Sequence, residues 1–196
     1  MALINIAARE IHCKIVYYGP GLSGKTTNLK YIHSQVPRDS KGELLSIATE
    51  TERTLFFDFL PLDLGRVRGF QTRFHLYTVP GQVLYERTRV AVLNGADGVV
   101  FVVDSQRNKL EENVRSLQEL ARNITRQGKR FAEFPVILQY NKRDLPNALP
   151  IPVLDKYLRY RGASGKLVER YESIASSGRG VFDTLKAISK LVISKL

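Results

Sequence analysis

A glycine-rich segment that ends in lysine and threonine carries the clearest chemical signal in this sequence. It reads Gly19-Pro20-Gly21-Leu22-Ser23-Gly24-Lys25-Thr26 and fits the spacing G-x-x-x-x-G-K-[ST] without a mismatch. An apolar run precedes it and a helical pattern follows it, so the order strand, loop and helix is expected. Glycines let successive N–H groups point inward, and the helix start adds its positive dipole end to the same hollow. The segment predicts a phosphate-binding loop; the alternative is a glycine-rich turn with a chance lysine.

Two side chains of this loop have specific chemistry toward a nucleotide. Lys25 is expected to reach the β- and γ-phosphates, and the hydroxyl of Thr26 is expected to ligate a Mg²⁺ ion that bridges them. The predicted nucleotide-binding residues of the loop are Gly19, Gly21, Leu22, Ser23, Gly24, Lys25, Thr26 and Thr27. The loop alone does not identify the base.

The composition is that of one globular domain over residues 1–196. The hydrophobic fraction of 43% and the charged fraction of 25% are close to the average for folded proteins, which argues against long disordered tracts. No apolar run has the length of a membrane span and the first residues do not resemble a signal peptide, so we expect a cytoplasmic protein. The single cysteine excludes an internal disulfide, and the three histidines lie far apart in the sequence without metal-ligand spacing.

The chain is strongly basic, with a formal net charge of +11. Its basic residues are scattered and form no continuous block of the kind that marks an interaction tail. The second residue is alanine and the C-terminus has no cysteine, so the common lipidation motifs are absent. We therefore expect no nucleic-acid partner and no membrane anchor. The excess charge belongs either to a solvated surface or to one that attracts an anionic partner or membrane.

Apolar periodicity places the loop on a layered α/β fold. Strand patterns cover residues 11–18, 55–60, 72–79, 98–104, 135–140 and 167–174, with a short extra strand over 3–6. Helical patterns cover 25–36, 110–124, 153–160 and a last helix from about Val181. We expect a three-layer α/β domain with a mixed, mostly parallel sheet that binds nucleotide at the carboxyl ends of its strands.

Two of these strands are expected to form an antiparallel hairpin at the edge of the sheet. The linker 62–69 between strands 55–60 and 72–79 is short and carries Gly65 and Gly69 as turn residues. The first strand is the predicted edge strand, and its register is weakly specified because nearly every position is apolar. The polar segment 37–53 has no clear periodicity, so it is the predicted moving part.

A second motif, Asn141-Lys142-Arg143-Asp144, directly follows the strand 135–140 and reads N-K-x-D. With the phosphate loop, it makes the sequence similar to the Ras-like small GTPases, which are P-loop NTPases. The resemblance implies that Asp144 accepts hydrogen bonds from guanine, Asn141 ties the base to the phosphate loop and the stem of Lys142 packs along the nucleotide. The family also places a backbone N–H against guanine O6, here at Ala175 or Ser176, although its usual lysine is a serine. The alternative is a charged turn after a strand.

The segment Thr78-Val79-Pro80-Gly81-Gln82 resembles the family's D-x-x-G-Q segment, with threonine in place of aspartate. The resemblance implies that the Gly81 N–H binds the γ-phosphate and that Gln82 orients the attacking water. The family's aspartate holds Mg²⁺ through water, whereas Thr78 offers only a neutral hydroxyl, so the surroundings of the metal are left open. A surface glutamine after a Pro-Gly turn is the alternative.

Two residues precede the predicted edge strand and complete the predicted site. By the same resemblance, Thr54 is the switch threonine that contacts Mg²⁺ and the γ-phosphate in the triphosphate state. Arg53 is then within reach of the γ-phosphate, where an arginine supplied by the chain itself would stabilise the transition state. The predicted catalytic residues are Gln82, Arg53, Lys25 and Gly81, and the predicted metal ligands are Thr26 and Thr54. The alternative for Arg53 is a solvated loop residue.

Three longer segments, 17–21, 53–59 and 74–82, look like the bacterial MglA branch of small GTPases. That branch implies a polarity switch for gliding or twitching motility, recruited to a cell pole and acting on motility or polarity effectors. It implies GTP hydrolysis that is slow alone and accelerated by a Roadblock-type activating protein, MglB, with an edge strand that shifts register. The alternatives are a regulatory module that holds GTP with negligible turnover, and a phosphate-loop kinase, which would make no use of N-K-x-D.

Overall fold

Eight strands form one mixed sheet within residues 3–47, 57–81 and 85–196, the parts of the chain that the computed structural model describes. The strands are β1 (Leu3–Asn5), β2 (Glu10–Tyr18), β3 (Leu45–Ile47), β4 (Phe57–Val67), β5 (Phe70–Thr78), β6 (Gly98–Asp104), β7 (Val136–Asn141) and β8 (Arg170–Glu172). The helices are α1 (Lys25–Gln35), α2 (Glu86–Leu93), α3 (Leu110–Arg126), α4 (Ile151–Leu158) and α5 (Val181–Ile193).

The strand order is β3-β4-β5-β2-β6-β7-β8, and β1 pairs with the start of β2. Strands β5, β2, β6, β7 and β8 run parallel, so their carboxyl ends meet at one edge of the sheet. Strands β3 and β4 and the hairpin β4–β5 pair antiparallel. This mixed, mostly parallel sheet confirms the predicted fold class.

Helices cover both faces of the sheet, which makes the domain three-layered. One apolar cluster joins the sheet to α1 and α5, and the other joins it to α2, α3 and α4. All seven residues of β6 are buried, as expected for a strand covered on both faces. Cys13 lies in the first cluster, and burial raises the pKa of its thiol to about 12, in agreement with a packing residue.

The hairpin differs from the predicted one in the length of its first strand and in the position of that strand in the sheet. β4 continues to Val67, so most of the predicted linker is strand, and a bulge between Asp63 and Arg66 absorbs the extra residues around Gly65. The turn is confined to Arg68 and Gly69. The predicted edge position is wrong as well, because β3 pairs with the outer side of β4. A strand of three residues has too little periodicity to be recognised in the sequence.

Helix α2 is, with β3, an element that periodicity did not predict. Its buried face consists of Thr88, Arg89, Val92 and Leu93, so half of that face is polar. The strand predicted over 167–174 shortens to Arg170–Glu172, and the helix predicted over 153–160 begins two residues earlier at Ile151. The other predicted helices and buried strands are confirmed within a few residues of their predicted ends.

Candidate functional site

The phosphate loop leaves the carboxyl end of β2 and enters α1 at Lys25. Three of its residues have left-handed backbone angles, with φ of 142° at Gly19, 61° at Leu22 and 102° at Gly24. A Cβ atom at Gly24 would overlap the side-chain amide of Asn141, so glycine is required there by conformation and by space. The loop therefore has the tight curvature that the sequence motif predicts.

The ammonium group of Lys25 lies inside this loop and is buried. It donates hydrogen bonds to the backbone oxygens of Gly19 at 3.0 Å and Pro20 at 2.6 Å. Burial lowers the pKa of Lys25 to about 7, repulsion by Arg89 and Lys142 adds to the effect, and attraction by Asp58 opposes it. An anion at the loop would provide the counter-charge that this ammonium lacks.

Asn141 joins the second motif to the phosphate loop. Its amide nitrogen donates to the backbone oxygen of Ser23 at 2.8 Å. Its amide oxygen accepts from the hydroxyl of Ser173 at 3.0 Å and from the backbone N–H of Ala175 at 2.9 Å. One buried amide thus holds together three loops at the carboxyl edge of the sheet.

The other residues of the second motif are arranged around the end of β7. Lys142 has a left-handed φ of 64°, and its ammonium lies 2.7 Å from the carboxylate of the fully buried Asp104. This ion pair orients the stem of Lys142. Asp144 is exposed at the same edge. Ser176 lies next to Ala175 and is exposed, while the Ala175 N–H is already used by Asn141.

Asp58 is a site residue that the sequence analysis missed. Its carboxylate accepts hydrogen bonds from the hydroxyls of Thr26 at 2.6 Å, Thr78 at 2.8 Å and Ser46 at 2.7 Å. Its backbone N–H donates to the Thr78 hydroxyl at 2.9 Å. Asp58 is only 8% exposed. The carboxylate missing at position 78 is therefore supplied from the neighbouring strand, directly beside the predicted metal ligand Thr26.

A weak signal for Asp58 was present in the sequence. It interrupts an apolar run and occupies the inward-facing positions of β4 together with Leu60 and Leu62. An acidic residue at a buried strand position requires a hydrogen-bonding partner. The partners could not be identified because Thr26 and Thr78 belong to distant segments of the chain.

The turn after β5 packs directly on the phosphate loop. A Cβ atom at Gly81 would overlap the backbone of Pro20 and Gly21, so only glycine fits. A Cβ atom at Gly21 would lie 3.8 Å from the carbonyl carbon of Gly81, an ordinary contact distance. The predicted γ-phosphate contact Gly81 thus lies beside the loop, whereas Gln82, Arg53 and Thr54 lie outside the described residues.

A buried arginine holds this turn to the helical layer. Arg89 of α2 donates to the backbone oxygen of Pro80 at 3.1 Å and forms a two-point contact with the carboxylate of Glu119, at 2.6 and 3.3 Å. Tyr18 donates to the same carboxylate at 3.0 Å. A cleft of about 1290 Å³ lies between the phosphate loop, this turn and α3. It opens on the side of α3 rather than on the side of Asp144.

The described residues contain no group of three or more His, Cys, Asp and Glu side chains that could hold a metal ion. Two of the histidines that are distant in sequence meet in the sheet, where His12 Nδ1 and His75 Nε2 lie 3.0 Å apart. They form a hydrogen-bonded pair between β2 and β5, away from the phosphate loop. Among the described helices, none is long and apolar enough to span a bilayer.

Comparison with known proteins agrees with this geometry. The family model described as the ADP-ribosylation factor family matches residues 2–192. The mutual gliding-motility protein MglA of Myxococcus xanthus is 55% identical over 196 residues, which covers 100% of this chain and 98% of the relative. Human ADP-ribosylation factor-like protein 4C is 28% identical over 156 residues, which covers 79% of this chain and 72% of the relative. The chain belongs to the ADP-ribosylation factor family and is a small GTPase that binds guanine nucleotides and hydrolyses GTP.

Proposed function

We propose that this chain, as a single GTPase domain over residues 1–196, is a GTP-dependent molecular switch that controls cell polarity and motility. The observation that carries the proposal is the Asn141 amide, which joins the guanine motif to the phosphate loop through a bond of 2.8 Å to the Ser23 oxygen and to the loop of Ala175 through a bond of 2.9 Å. The relative from Myxococcus xanthus, which this chain matches from end to end, is named as a gliding-motility protein. That relationship supports motility as the process that the switch serves.

Selection of guanine follows from the chemistry of Asp144. An exposed carboxylate at the end of β7 accepts the N1–H and amine hydrogens of guanine. Adenine lacks the amine and presents an acceptor at N1, so the carboxylate would lose its partners and be repelled. Once a bound base covers the Asp144 carboxylate, a site built to hydrogen-bond such groups rejects the wrong partner by about 10⁴-fold. Lys142, oriented by Asp104, covers the base. Because Asn141 accepts the Ala175 N–H, the backbone N–H of Ser176 is the one that we assign to guanine O6.

The residues around Thr26 fit a magnesium ion, because hard cations prefer oxygen ligands. Thr26 and Thr54 would hold the ion, which when bound neutralises charge on the β- and γ-phosphates. Asp58 takes the place of the family's aspartate, since its carboxylate already lies 2.6 Å from the Thr26 hydroxyl. Thr78 fixes that carboxylate with a hydrogen bond of 2.8 Å. The threonine at position 78 therefore orients the acid and does not replace it.

The remaining residues act on the terminal phosphate. Lys25 exchanges its bonds to the loop carbonyls for phosphate oxygens, and the Gly81 N–H binds the γ-phosphate. Gln82 orients the attacking water, and Arg53 stabilises the charge that spreads over the phosphate in the transition state. The packing of Gly81 on Gly21 supports this assignment, because it places Gly81, which directly precedes Gln82 in the sequence, against the phosphate loop.

We further propose that hydrolysis is slow in the isolated chain and accelerated by a Roadblock-type partner of the MglB kind. The test is single-turnover GTP hydrolysis by the purified chain, with and without that partner. We expect acceleration of about 10³-fold or more, lost in Arg53→Ala and in Gln82→Ala. Asp63→Asn, a substitution at the far end of β4, is the control and should behave like the unmodified chain.

The outcomes of this test separate the functional alternatives. Hydrolysis that is negligible under both conditions, with tight GTP binding, would favour a regulatory binding module. An unchanged rate in Arg53→Ala would contradict the assignment of an arginine finger. Adenine rather than guanine nucleotide extracted from the purified protein would overturn the assignment of Asp144. Localisation of the GTP-bound chain to a cell pole, followed by fluorescence, tests polarity control separately.

A further inference from the structure

We propose that Asn28, Gln139 and Thr184 form a second positioning clamp, which fixes the spacing between the phosphate loop and the loop before α5 and so sets the lifetime of the bound nucleotide. The second of these loops, residues 173–180, connects β8 to α5, and we call it the α5 loop. We call the three residues the deep clamp. The inference rests on the proposed contact of the α5 loop with guanine.

The side chains of Asn28 on α1 and Gln139 on β7 are joined by a reciprocal pair of hydrogen bonds. Asn28 Nδ2 donates to Gln139 Oε1 at 2.9 Å, and Gln139 Nε2 donates to Asn28 Oδ1 at 3.0 Å. Both side chains are fully buried. Burial of an amide costs free energy unless its polar atoms are hydrogen-bonded, so a pair at this depth holds its helix and its strand together closely.

The deep clamp ends on the N-cap residues of two helices. Asn28 Nδ2 also donates to the backbone oxygen of Gly24 at 2.9 Å, and Gln139 Nε2 also donates to the Thr184 hydroxyl at 3.1 Å. That hydroxyl donates to the backbone oxygen of Gly180 at 2.7 Å. Gly24 caps α1 with a φ of 102°, and Gly180 caps α5 with a φ of 73°. The clamp therefore connects the phosphate loop to the α5 loop.

Each hydrogen bond of the deep clamp determines the direction of the next. The single hydroxyl hydrogen of Thr184 is donated to the Gly180 oxygen, so the Thr184 oxygen accepts from the Gln139 amide. The Gln139 oxygen is then directed at Asn28, and every polar atom of the three side chains has a partner. A change in the spacing of α1, β7 and α5 would leave buried polar atoms unpaired, which is costly.

The deep clamp repeats the connection made by Asn141 one layer farther from the nucleotide. Gln139 and Asn141 are two positions apart on β7, so their side chains lie on the same face of the strand. Asn141 contacts the Ser23 oxygen and the Ala175 N–H, which belong to the same two loops. One connection alone would let the two loops pivot about it. Two connections at different depths fix their relative orientation as well as their distance.

A bound guanine nucleotide spans both loops, with its phosphates on one and its base at the other. An increase in the spacing of the loops weakens both contacts, so the free energy of breaking the deep clamp adds to the barrier for release. The clamp lies below the phosphate loop and acts on the nucleotide through the two loops. It therefore slows dissociation without taking part in the transfer of the γ-phosphate.

The test is the dissociation rate of a fluorescent GDP analogue from the full chain in an excess of unlabelled GDP. Gln139→Met keeps the length of the side chain and removes its hydrogen bonds, so we expect release about tenfold faster. Thr184→Val removes the hydroxyl at nearly constant shape and should accelerate release by about threefold or more. Thr184→Ser keeps the hydroxyl and should release at the original rate. Single-turnover GTP hydrolysis should be unchanged in all three variants.

Asn123→Leu is the matched control, because it removes a buried amide from α3 on the opposite face of the sheet and should leave release unchanged. The triple variant Asn28→Leu, Gln139→Met and Thr184→Val replaces all the polar groups of the deep clamp by apolar ones. Such a replacement is often nearly neutral for folding. We therefore expect the triple variant to recover its free energy of unfolding in urea while release stays fast.

Three results would overturn the deep clamp: unchanged release in Gln139→Met, equal acceleration in Asn123→Leu, or slow release recovered together with stability in the triple variant. If Gln139→Met does not fold, equal release rates in Thr184→Val and Thr184→Ser would overturn it as well. Adenine nucleotide extracted from the purified variants would instead overturn the proposed guanine site, and this inference with it.

Discussion

At the scale of single residues, Asp58 provides a carboxylate next to Thr78, the position at which the family's motif has an aspartate. The hydroxyls of Thr26, Thr78 and Ser46 surround its carboxylate within 2.8 Å, so the acid is held in one orientation. With the acid on the neighbouring strand, a carboxylate still lies beside Thr26, the predicted metal ligand. The sequence motif is broken at position 78, whereas a carboxylate still lies within hydrogen-bond distance of Thr26 and Thr78.

This assignment predicts that Asp58→Asn weakens Mg²⁺ binding. Substituting groups that orient metal ligands typically lowers metal affinity 10- to 100-fold, and we expect that range here. The measurement is a Mg²⁺ titration of the chain loaded with a fluorescent GDP analogue. Asp63→Asn on the same strand is the control. Adding Thr78→Asp to Asp58→Asn should restore part of the affinity, and an unchanged titration in Asp58→Asn would contradict the assignment.

The lowered pKa of Lys25 predicts that nucleotide binding is linked to proton uptake. Burial lowers the pKa of Lys25 to about 7, so near pH 8 most of the free protein has a neutral amine there. A bound polyphosphate favours the charged form and raises this pKa, so binding takes up nearly one proton near pH 8 and almost none near pH 6. Nucleotide affinity therefore falls as the pH rises above 7.

Calorimetric titrations in buffers of different ionisation enthalpy measure that proton uptake directly. Lys25→Met should abolish the uptake as well as weaken binding, whereas Lys142→Met should weaken binding and keep the uptake. Proton release, or no uptake near pH 8, would contradict this interpretation of the buried amine.

At the scale of elements, the contact between α2 and α3 positions the turn that carries Gly81. Arg89 has only 4% of its side chain exposed, and it connects the Pro80 oxygen to Glu119. A buried guanidinium needs its hydrogen-bond partners, so this contact fixes α2 more firmly than apolar packing of a short helix would.

We therefore expect Glu119→Gln to lower the free energy of unfolding by about 1–3 kcal/mol, because it removes the carboxylate charge that faces the buried Arg89 guanidinium. Urea denaturation followed by circular dichroism measures the change. Glu86→Gln is the matched control, since its pair with Arg126 is more than half exposed on both sides and should contribute less than about 0.5 kcal/mol. Equal effects of the two substitutions would contradict the importance of burial here.

At the scale of the whole molecule, contiguous motifs and fully buried strands were predictable from the sequence. The phosphate loop, the N-K-x-D motif and strand β6 each carry their signal within a few adjacent residues. Asp58 was missed because its role depends on two threonines that are distant in the sequence. Helix α2 was missed because Thr88 and Arg89 make half of its buried face polar. The length of the hairpin was missed because a bulge at Gly65 breaks the alternation of the strand.

The position of Asp58 on β4 has one more consequence. Side chains of a strand alternate between its faces, so β4 can change register only in two-residue steps of about 7 Å without exposing its apolar side. One such step brings Leu60, the next inward residue, to the position of Asp58 beside Thr26. The Asp58 carboxylate would then leave the site in a single step, so the Mg²⁺ affinity would report the position of the strand.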